Sequence, residues 1–206
     1  MAGLAFPHWL AIVFALFFLA LAMDPVSRTV WIAEVIPVIA VYLVLVGTYR
    51  RFRFSNAAYA LMAVWMFWHT VGAHYTFANV PFDWFNELIG AERNHFDRVG
   101  HFAVGLYAFA AAEWMLRLGQ CRYWAANAFA LLLIMGVAAA YEIIEWWYAV
   151  LEGGDAGIEF LGSQGDIWDA QKDMLADTLG ALFALLLFAW LRPDLKAGQA
   201  ALPTLR

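Results

Sequence analysis

Six stretches of mainly apolar residues, each roughly as long as a membrane-crossing helix, constrain this chain more than any other feature. They cover residues 8–23, 30–49, 56–79, 99–118, 123–150 and 171–191. An α-helix needs about 20 apolar residues to cross the hydrocarbon core of a bilayer. Lipid tolerates only helices or closed barrels, and these stretches lack the alternation of barrel strands. The pattern therefore predicts an all-α fold, a bundle of six transmembrane helices.

Composition agrees with lipid as the solvent. The 206 residues are 65% apolar and 14% charged, against about half and about a quarter in soluble domains. No linker divides the chain, so residues 1–206 are predicted to form a single integral membrane domain, with residues 7–23 as a retained first helix. The only basic cluster is Arg50, Arg51 and Arg53, which argues against nucleic acid as a partner. The single cysteine, Cys121, excludes an intrachain disulfide framework.

The distribution of Lys and Arg predicts the orientation of the helices, because cytoplasmic loops are enriched in positive charge. Eight of these residues lie in the second and fourth loops and the C-terminal tail: Arg50, Arg51, Arg53, Arg117, Arg122, Arg192, Lys196 and Arg206. Only four lie in the first, third and fifth loops: Arg28, Arg93, Arg98 and Lys172. Both termini are therefore predicted to be cytoplasmic.

Acidic residues and histidines collect at the opposite side, near the outer leaflet. Of the 17 acids, only Glu113 and Asp194 fall towards the cytoplasm, and Glu113 and Glu34 are interpreted as isolated structural acids near span ends. At about 1.5 Å per residue, four predicted helices bring ionisable groups to one depth. These groups are His69, His74, His101, Glu142, Glu145, Asp173 and Asp177.

Helical spacing predicts that these groups face one another inside the bundle. Four aspartates would share one helix face if the last helix extended far enough back: Asp166, Asp169, Asp173 and Asp177. A charge at mid-bilayer costs at least about 2.5–3.5 kcal/mol, which favours interior positions. Glycines at positions 100, 105, 136 and 180 would let the helices approach closely. Facing carboxylates cannot all stay ionised unless a cation or shared protons neutralise them.

Two neutralisers are open. One is a divalent metal ion of unknown identity, for which the predicted ligands are His101, Glu142, Glu145, Asp173 and Asp177, with His69, His95, Asp166 and Asp169 as possible additions. The other is pairing with Arg93, Arg98 and Lys172, which would make the cluster a structural ion network. His69 is equally interpretable as a core histidine, His95 as a loop residue, and Asp166 and Asp169 as helix N-terminal residues.

Four ordered motifs resemble the YjdF-like family of bacterial inner-membrane proteins. They are His-Thr-Val-Gly-Ala-His-Tyr-Thr (69–76), Arg-Asn-His-Phe-Asp-Arg-Val-Gly-His-Phe (93–102), Tyr-Glu-Ile-Ile-Glu-Trp (141–146) and Gln-Gly-Asp-Ile-Trp-Asp-Ala-Gln-Lys-Asp-Met (164–174). The resemblance covers about residues 55–190 and implies an inner-membrane location but no established reaction.

A fainter resemblance is to VanZ-like membrane proteins, which are associated with tolerance to glycopeptide antibiotics. It rests on Asp97 to His101, on Glu142 with Glu145, and on Asp173, Asp177 and Gly180. This chain departs from that pattern at Glu145 and Asp177, where amides are usual. The two extra carboxylates favour cation binding and weaken the case for a shared function.

The residues favour a metal-dependent membrane enzyme, of hydrolase type, acting on a lipid or lipid-linked substrate at the outer leaflet. The metal would activate water, Asp97 or His74 would serve as general base, and Arg93 and Arg98 would hold an anionic head group. A cation- or proton-coupled transporter and a non-enzymatic envelope protein are the alternatives. Polar groups in the inner half would favour transport, whereas a tight site beside a lipid-sized groove would favour the enzyme. Oligomeric state is not predicted.

Overall fold

Within residues 4–119 and 121–197, which the computed structural model describes, the chain forms helices and no strand. The α-helices are α1 (Phe6–Leu21), α2 (Arg28–Thr48), α3 (Asn56–Tyr75), α4 (Asp83–Ile89), α5 (Phe96–Gly105), α6 (Tyr107–Arg117), α7 (Tyr123–Glu152), α8 (Gly154–Leu161), α9 (Asp169–Leu191) and α10 (Pro193–Ala197). A 3₁₀ turn, Phe77–Asn79, follows α3. The all-α prediction is confirmed for this part of the chain. Arg206, counted above among the cytoplasmic charges, lies outside it.

The six predicted stretches correspond to α1, α2, α3, α5 with α6, α7 and α9. Four of these segments are long and apolar enough to cross a bilayer: α2, α5 with α6, α7 and α9. The first helix, α1, is apolar but only 16 residues long. The third, α3, has 20 residues but buries polar side chains, including His69 and Thr70, which lower its hydropathy. The apolar pattern does not predict α4 and α8, the short helices in the third and fifth loops.

Helix α3 lies at the centre of the bundle and packs against α1, α2, α5 and α6. Trp65 and Met66 of α3 share a buried core with Phe109 of α6 and Phe188 of α9. A buried helix of this kind can carry polar residues because its neighbours, rather than lipid, surround it. The centre of the bundle is therefore where ionisable side chains from several helices can meet.

The closest helix crossing joins α5 to α9. A Cβ atom at Gly105 would overlap the backbone of Asp177 and Ala181, and one at Gly180 would overlap the carbonyl of Phe102. Only glycine permits this approach, as small residues do at other membrane helix contacts. Gly136, by contrast, has open space where its Cβ would lie, so the close approach predicted at that position is wrong. The α5–α9 crossing sets the distance between the acids of α9 and His101.

A structural ion pair between Glu113 and Arg117 lies at the end of the bundle where α3 begins and α6 ends. Glu113 is fully buried and accepts hydrogen bonds from the Ser55 backbone N–H (2.8 Å) and hydroxyl (2.7 Å). Arg117 donates to the same carboxylate at 2.6 Å. Since Ser55 also caps the first turn of α3 through the Ala58 N–H, Glu113 holds the start of α3. This agrees with the structural role expected for Glu113.

Candidate metal centre and groove

An outer layer of charged residues lies where the third and fifth loops meet. It comprises three basic residues and three aspartates: Arg93, Arg98, Lys172, Asp166, Asp169 and Asp173. Arg93 precedes α5 and Arg98 lies in its first turn. Both place a guanidinium nitrogen 2.5 Å from Oδ1 of Asp169. Three basic residues thus face three aspartates in this layer.

The remaining contacts of the outer layer correct one sequence prediction. Helix α9 begins at Asp169, so Asp166 lies in the preceding turn and not on the predicted helical face. Its Oδ1 accepts from the Trp168 N–H (3.1 Å), and its Oδ2 accepts from Lys172 Nζ (2.6 Å). Asp166 nevertheless joins the group, 3.4 Å from Arg93 Nη1. The loop, rather than helical periodicity, brings it there.

Three groups in these loops have pKa values that are shifted by their surroundings. The hydrogen bond from Lys172, then that from the Trp168 backbone, lowers the pKa of Asp166. Burial opposes the charge of Arg93, but the hydrogen bond to Asp169 raises its pKa overall. Burial, followed by the nearby charges of Arg93 and Arg98, lowers the pKa of His95. These shifts favour the charged forms of Asp166 and Arg93 and the neutral form of the His95 imidazole.

An inner layer, deeper in the bundle, surrounds His101 with carboxylates. Its members are Asp97, His101, Glu142, Glu145 and Asp177. His101 Nδ1 lies 2.9 Å from Oδ2 of Asp177, while Nε2 lies 3.7 Å from Asp97 Oδ1 and 4.0 Å from Glu142 Oε1. Among the described residues, no Lys or Arg forms an ion pair with these four carboxylates. The layer therefore has an excess of acid that the outer arginines do not neutralise.

Three residues around His101 offer ligand atoms close enough to share one metal ion. Asp97, His101 and Asp173 each offer one ligand atom, and these atoms all lie within 4.8 Å of one another. Because each ligand lies about 2.0–2.6 Å from its ion, two ligands of one ion are within about 5 Å of each other. Buried Glu142 Oε1 and Asp177 Oδ1 have no hydrogen-bond partner. An imidazole with several carboxylates and orphaned buried oxygens fits a divalent cation.

Asp177 lies at Nδ1 of His101, whereas Asp97 and Glu142 lie nearest to Nε2. A carboxylate on one imidazole nitrogen fixes the tautomer and leaves the other nitrogen free as a ligand. The short distance from Nδ1 to Asp177 and the acids around Nε2 match that arrangement. The structure thus distinguishes Asp177 and His101, which the sequence placed in one undivided set of ligands.

Three other predicted residues lie apart from the triad. His74 Nδ1 bonds the Leu21 carbonyl at 2.8 Å, at the end of α1, so the catalytic position predicted for it has no geometric support. His69 Nε2 instead contacts Glu34, at 3.1 Å from the carboxylate and 3.0 Å from the carbonyl. His95 is half-buried beside the arginines, and no side-chain hydrogen bond joins it to the described residues. The rotation of each helix about its own axis sets where these side chains point. The depth of a residue in the bilayer does not predict that rotation.

Sequence reasoning missed a second buried polar group, formed by Glu34, His69 and Tyr141. Tyr141 donates its hydroxyl to Glu34 Oε2 at 3.0 Å and so links α7 to α2. Glu34 is 2% exposed, although it had been interpreted as an isolated acid near a span end. The available signal was the rarity of carboxylates within membrane helices, which makes any such residue a candidate.

A long groove begins at these polar groups and runs along α2. Its volume is about 780 Å³, and α2, α6 and α7 form most of its walls. At one end it is lined by Glu34, Asp97, His101, Tyr141, Glu145 and Asp177. Beyond Tyr107 the α2, α6 and α7 walls are apolar until Thr48 and Arg51 at the far mouth. Glu145, 9% exposed and without an ion pair among the described residues, faces this space.

Comparisons with known proteins agree with the motif resemblance. A family model described as a predicted membrane protein (DUF2238) matches residues 6–194. Inner membrane protein YjdF of Escherichia coli (strain K12) is similar, with 38% identity over 166 residues, 79% of each chain. No solved structure matches. The YjdF-like resemblance is confirmed, and the VanZ-like one gains no support. With its apolar helices, the chain is a multi-pass protein of the inner membrane.

Proposed function

Since the chain belongs to the DUF2238 family of membrane proteins, whose description states no reaction, we propose a function from the site. We infer a metal-dependent hydrolase that acts on a lipid or lipid-linked substrate at the outer-leaflet side. The observation that carries this proposal is the surroundings of His101. Its Nδ1 is held by Asp177, and its Nε2 faces acids that have no Lys or Arg partner.

The residues divide into three roles. Asp97, His101 and Asp173 hold the metal ion, and Asp177 orients the imidazole. The bound ion would supply Lewis acidity and a water of lowered pKa. Glu142, whose Oε1 is buried and unpartnered 4.0 Å from His101 Nε2, takes the proton of the attacking water. The water oxygen bonds to the phosphorus or carbonyl carbon, the ester bond breaks, and the leaving oxygen receives the proton.

Arg93 is the better placed of the two arginines to bind an anionic head group. Its Nε and Nη2 atoms are buried and have no hydrogen-bond partner, although Nη1 is bonded to Asp169. These two nitrogens form the donor fork that binds phosphate and carboxylate oxygens. Arg98 is more fully engaged, with Nη2 at Asp169 and Nε 2.5 Å from Asp173 Oδ1. Asp169 then serves to position both guanidinium groups.

The shape of the cavity favours a lipid substrate over transport. A transport path would place polar groups along the inner half, whereas the α2, α6 and α7 walls there are apolar up to Thr48 and Arg51. Polar groups at one end and apolar walls along the rest match a lipid with its head at the metal and its chain in the groove. The proposal includes six membrane crossings, both termini in the cytoplasm, and the metal centre near the outer leaflet.

Metal content tests the proposal directly. Protein purified without chelator, then dialysed against a limiting divalent-metal mixture, is expected to retain about one ion per chain by elemental analysis. His101→Gln and Asp97→Asn should each lose most of that metal, because each removes a ligand of the triad. Asp83→Asn is the matched control, since Asp83 is an exposed acid of α4 outside the cluster.

Equal metal retention in the control and the two ligand variants would contradict the site. So would wild type that binds no divalent ion under these conditions. Hydrolytic activity is assayed separately, with a lipid phosphate ester in detergent, by release of inorganic phosphate. Activity that survives full metal removal would overturn metal dependence.

A further inference from the structure

The groove is longer than one leaflet of the bilayer. Its lining runs from Glu34 on α2 to Arg51, in the turn that follows that helix, and these 17 steps span about 25 Å at about 1.5 Å per residue. The hydrocarbon core of a whole bilayer is about 30 Å thick, so one leaflet supplies about half of that. A chain with its head at the metal centre would therefore continue past the bilayer midplane before the groove ends.

The groove is also narrow. A volume of about 780 Å³ spread over the length of about 25 Å from Glu34 to Arg51 has a mean cross-section of about 30 Å². With carbon–carbon contacts of about 3.5–4.0 Å, this width holds one hydrocarbon chain and not two packed side by side. Small residues keep the path open, including Ala40 on α2, Ala110 and Ala111 on α6, and Ala138 on α7.

We propose that the substrate is a lipid phosphate with a single hydrocarbon chain longer than one leaflet, bound head-first at the metal centre with its chain along α2. This inference rests on the proposed function, which places a metal ion beside Asp97 and His101 at the polar end. The phosphate is assigned to that end because a bound divalent ion would coordinate and polarise a phosphoryl oxygen. The apolar walls bury the chain.

Two neighbouring residues of α2 provide a test of chain length. Val44 lines the groove and is 60% exposed, so a larger side chain there can be accommodated without unfolding the bundle. Leu43 is 61% exposed and lies outside the groove. Val44 is ten residues beyond Glu34, about 15 Å further along the helix axis. Val44→Trp narrows the distal groove, and Leu43→Trp is its matched control.

The probes are geranylgeranyl phosphate, whose extended chain passes Val44, and geranyl phosphate, whose chain ends before it. Binding is measured by ligand-induced thermal shift and by tryptophan fluorescence titration, in detergent, with Mn²⁺ and again with chelator. Val44→Trp is expected to raise the Kd for geranylgeranyl phosphate by about tenfold, because distal CH₂ groups lose their apolar contact. The same substitution should change the Kd for geranyl phosphate by less than about twofold. Leu43→Trp should leave the Kd for both probes unchanged.

Three results would overturn this inference. The first is that Val44→Trp weakens the binding of both probes equally, or changes the binding of neither. The second is phosphatidic acid binding as tightly as geranylgeranyl phosphate, which would mean a two-chain lipid. The third is loss of both probes in Arg51→Gln, which would place the head at the opposite mouth. Metal content is measured on the same samples. If no metal is bound but affinity still depends on chain length, the proposed function is contradicted and the groove assignment stands. If metal is bound but affinity does not depend on chain length, the groove assignment is contradicted and the proposed function stands.

Discussion

His101 gives the cluster its order, because its two ring nitrogens face different surroundings. Nδ1 meets the buried Asp177, and Nε2 meets Asp97 and Glu142 at distances too long for hydrogen bonds. A donor on one side and a lone pair on the other is the state in which histidine binds metal. Asp173 has two alternative partners, since it completes the ligand triad and also contacts Arg98 at 2.5 Å. Arg98 and a metal ion would therefore compete for one carboxylate.

This competition predicts an unusual response to removing Arg98. Arg98→Gln leaves the buried carboxylate of Asp173 without its ion-pair partner, while Asp169 keeps Arg93, and this should lower the unfolding free energy by about 3–5 kcal/mol in chelator. Saturating divalent metal should recover part of that loss, and metal affinity should exceed that of wild type. Arg117→Gln is the control, because Glu113 lies at the other end of the bundle. Melting curves and metal titrations would refute the competition if metal rescued both variants equally, or neither.

At the scale of helices, the contact between α5 and α9 builds the site. α5 supplies Asp97, Arg98 and His101, while α9 supplies Asp173 and Asp177. Gly105 and Gly180 face each other where the helices cross, without room for a Cβ atom on either. Packed interiors respond to overfilling with backbone shifts. A methyl group at this crossing would therefore separate His101 from its acidic neighbours.

Gly180→Ala is expected to lower the unfolding free energy by about 1–3 kcal/mol or more, and to weaken metal binding in parallel. Gly136→Ala makes the same chemical change on α7, where the added Cβ meets open space. It should leave both properties near wild type, since alanine has the better helix propensity. Thermal unfolding in detergent and metal titration of both variants measure the difference. Equal behaviour would contradict a role for the crossing in positioning the ligands.

At the scale of the whole molecule, contacts between loops show which loops lie at the same end of the bundle. Arg117 Nη1 donates to the Arg53 carbonyl at 2.7 Å, which joins the second and fourth loops. At the other end, the Asn94 N–H donates to Gln164 Oε1 at 2.9 Å, which joins the third and fifth loops. The Val26 N–H donates to the His74 carbonyl at 3.0 Å and brings the first loop to the same end. These sets coincide with the basic-rich and basic-poor loops.

The coincidence predicts the result of topology mapping. Reporter fusions after Arg53, Gly119 and Arg206 should report the cytoplasm, because basic loops are retained there. Fusions near Asp83, in α4, and near Asp155, in α8, should report the opposite side. Paired alkaline phosphatase and fluorescent-protein reporters measure each position twice. The reverse pattern would place the metal centre at the inner leaflet and contradict the outer-leaflet proposal.

Hydropathy and helical rise were sufficient to predict the positions of the long helices and the depth of most site residues. Both are properties of a short segment, so the apolar stretch 171–191 predicts α9 to within a few residues. Depth follows from counting residues along a span, which explains why His101, Glu142 and Asp177 were expected at one level. The sidedness of the basic residues is equally local, because each charge belongs to its own loop.

Tertiary structure alone decided how these residues are arranged about the helix axes and which of them pair. Rotation and crossing angle depend on contacts between distant segments, such as Gly105 against Gly180. They turn His74 towards Leu21 and bring Asp97 into the ligand triad. They also pair Arg98 with Asp169 and Asp173, and leave the groove open along α2. Residue counts along single spans contain no information about such contacts, because periodicity specifies a face but not the helix it meets.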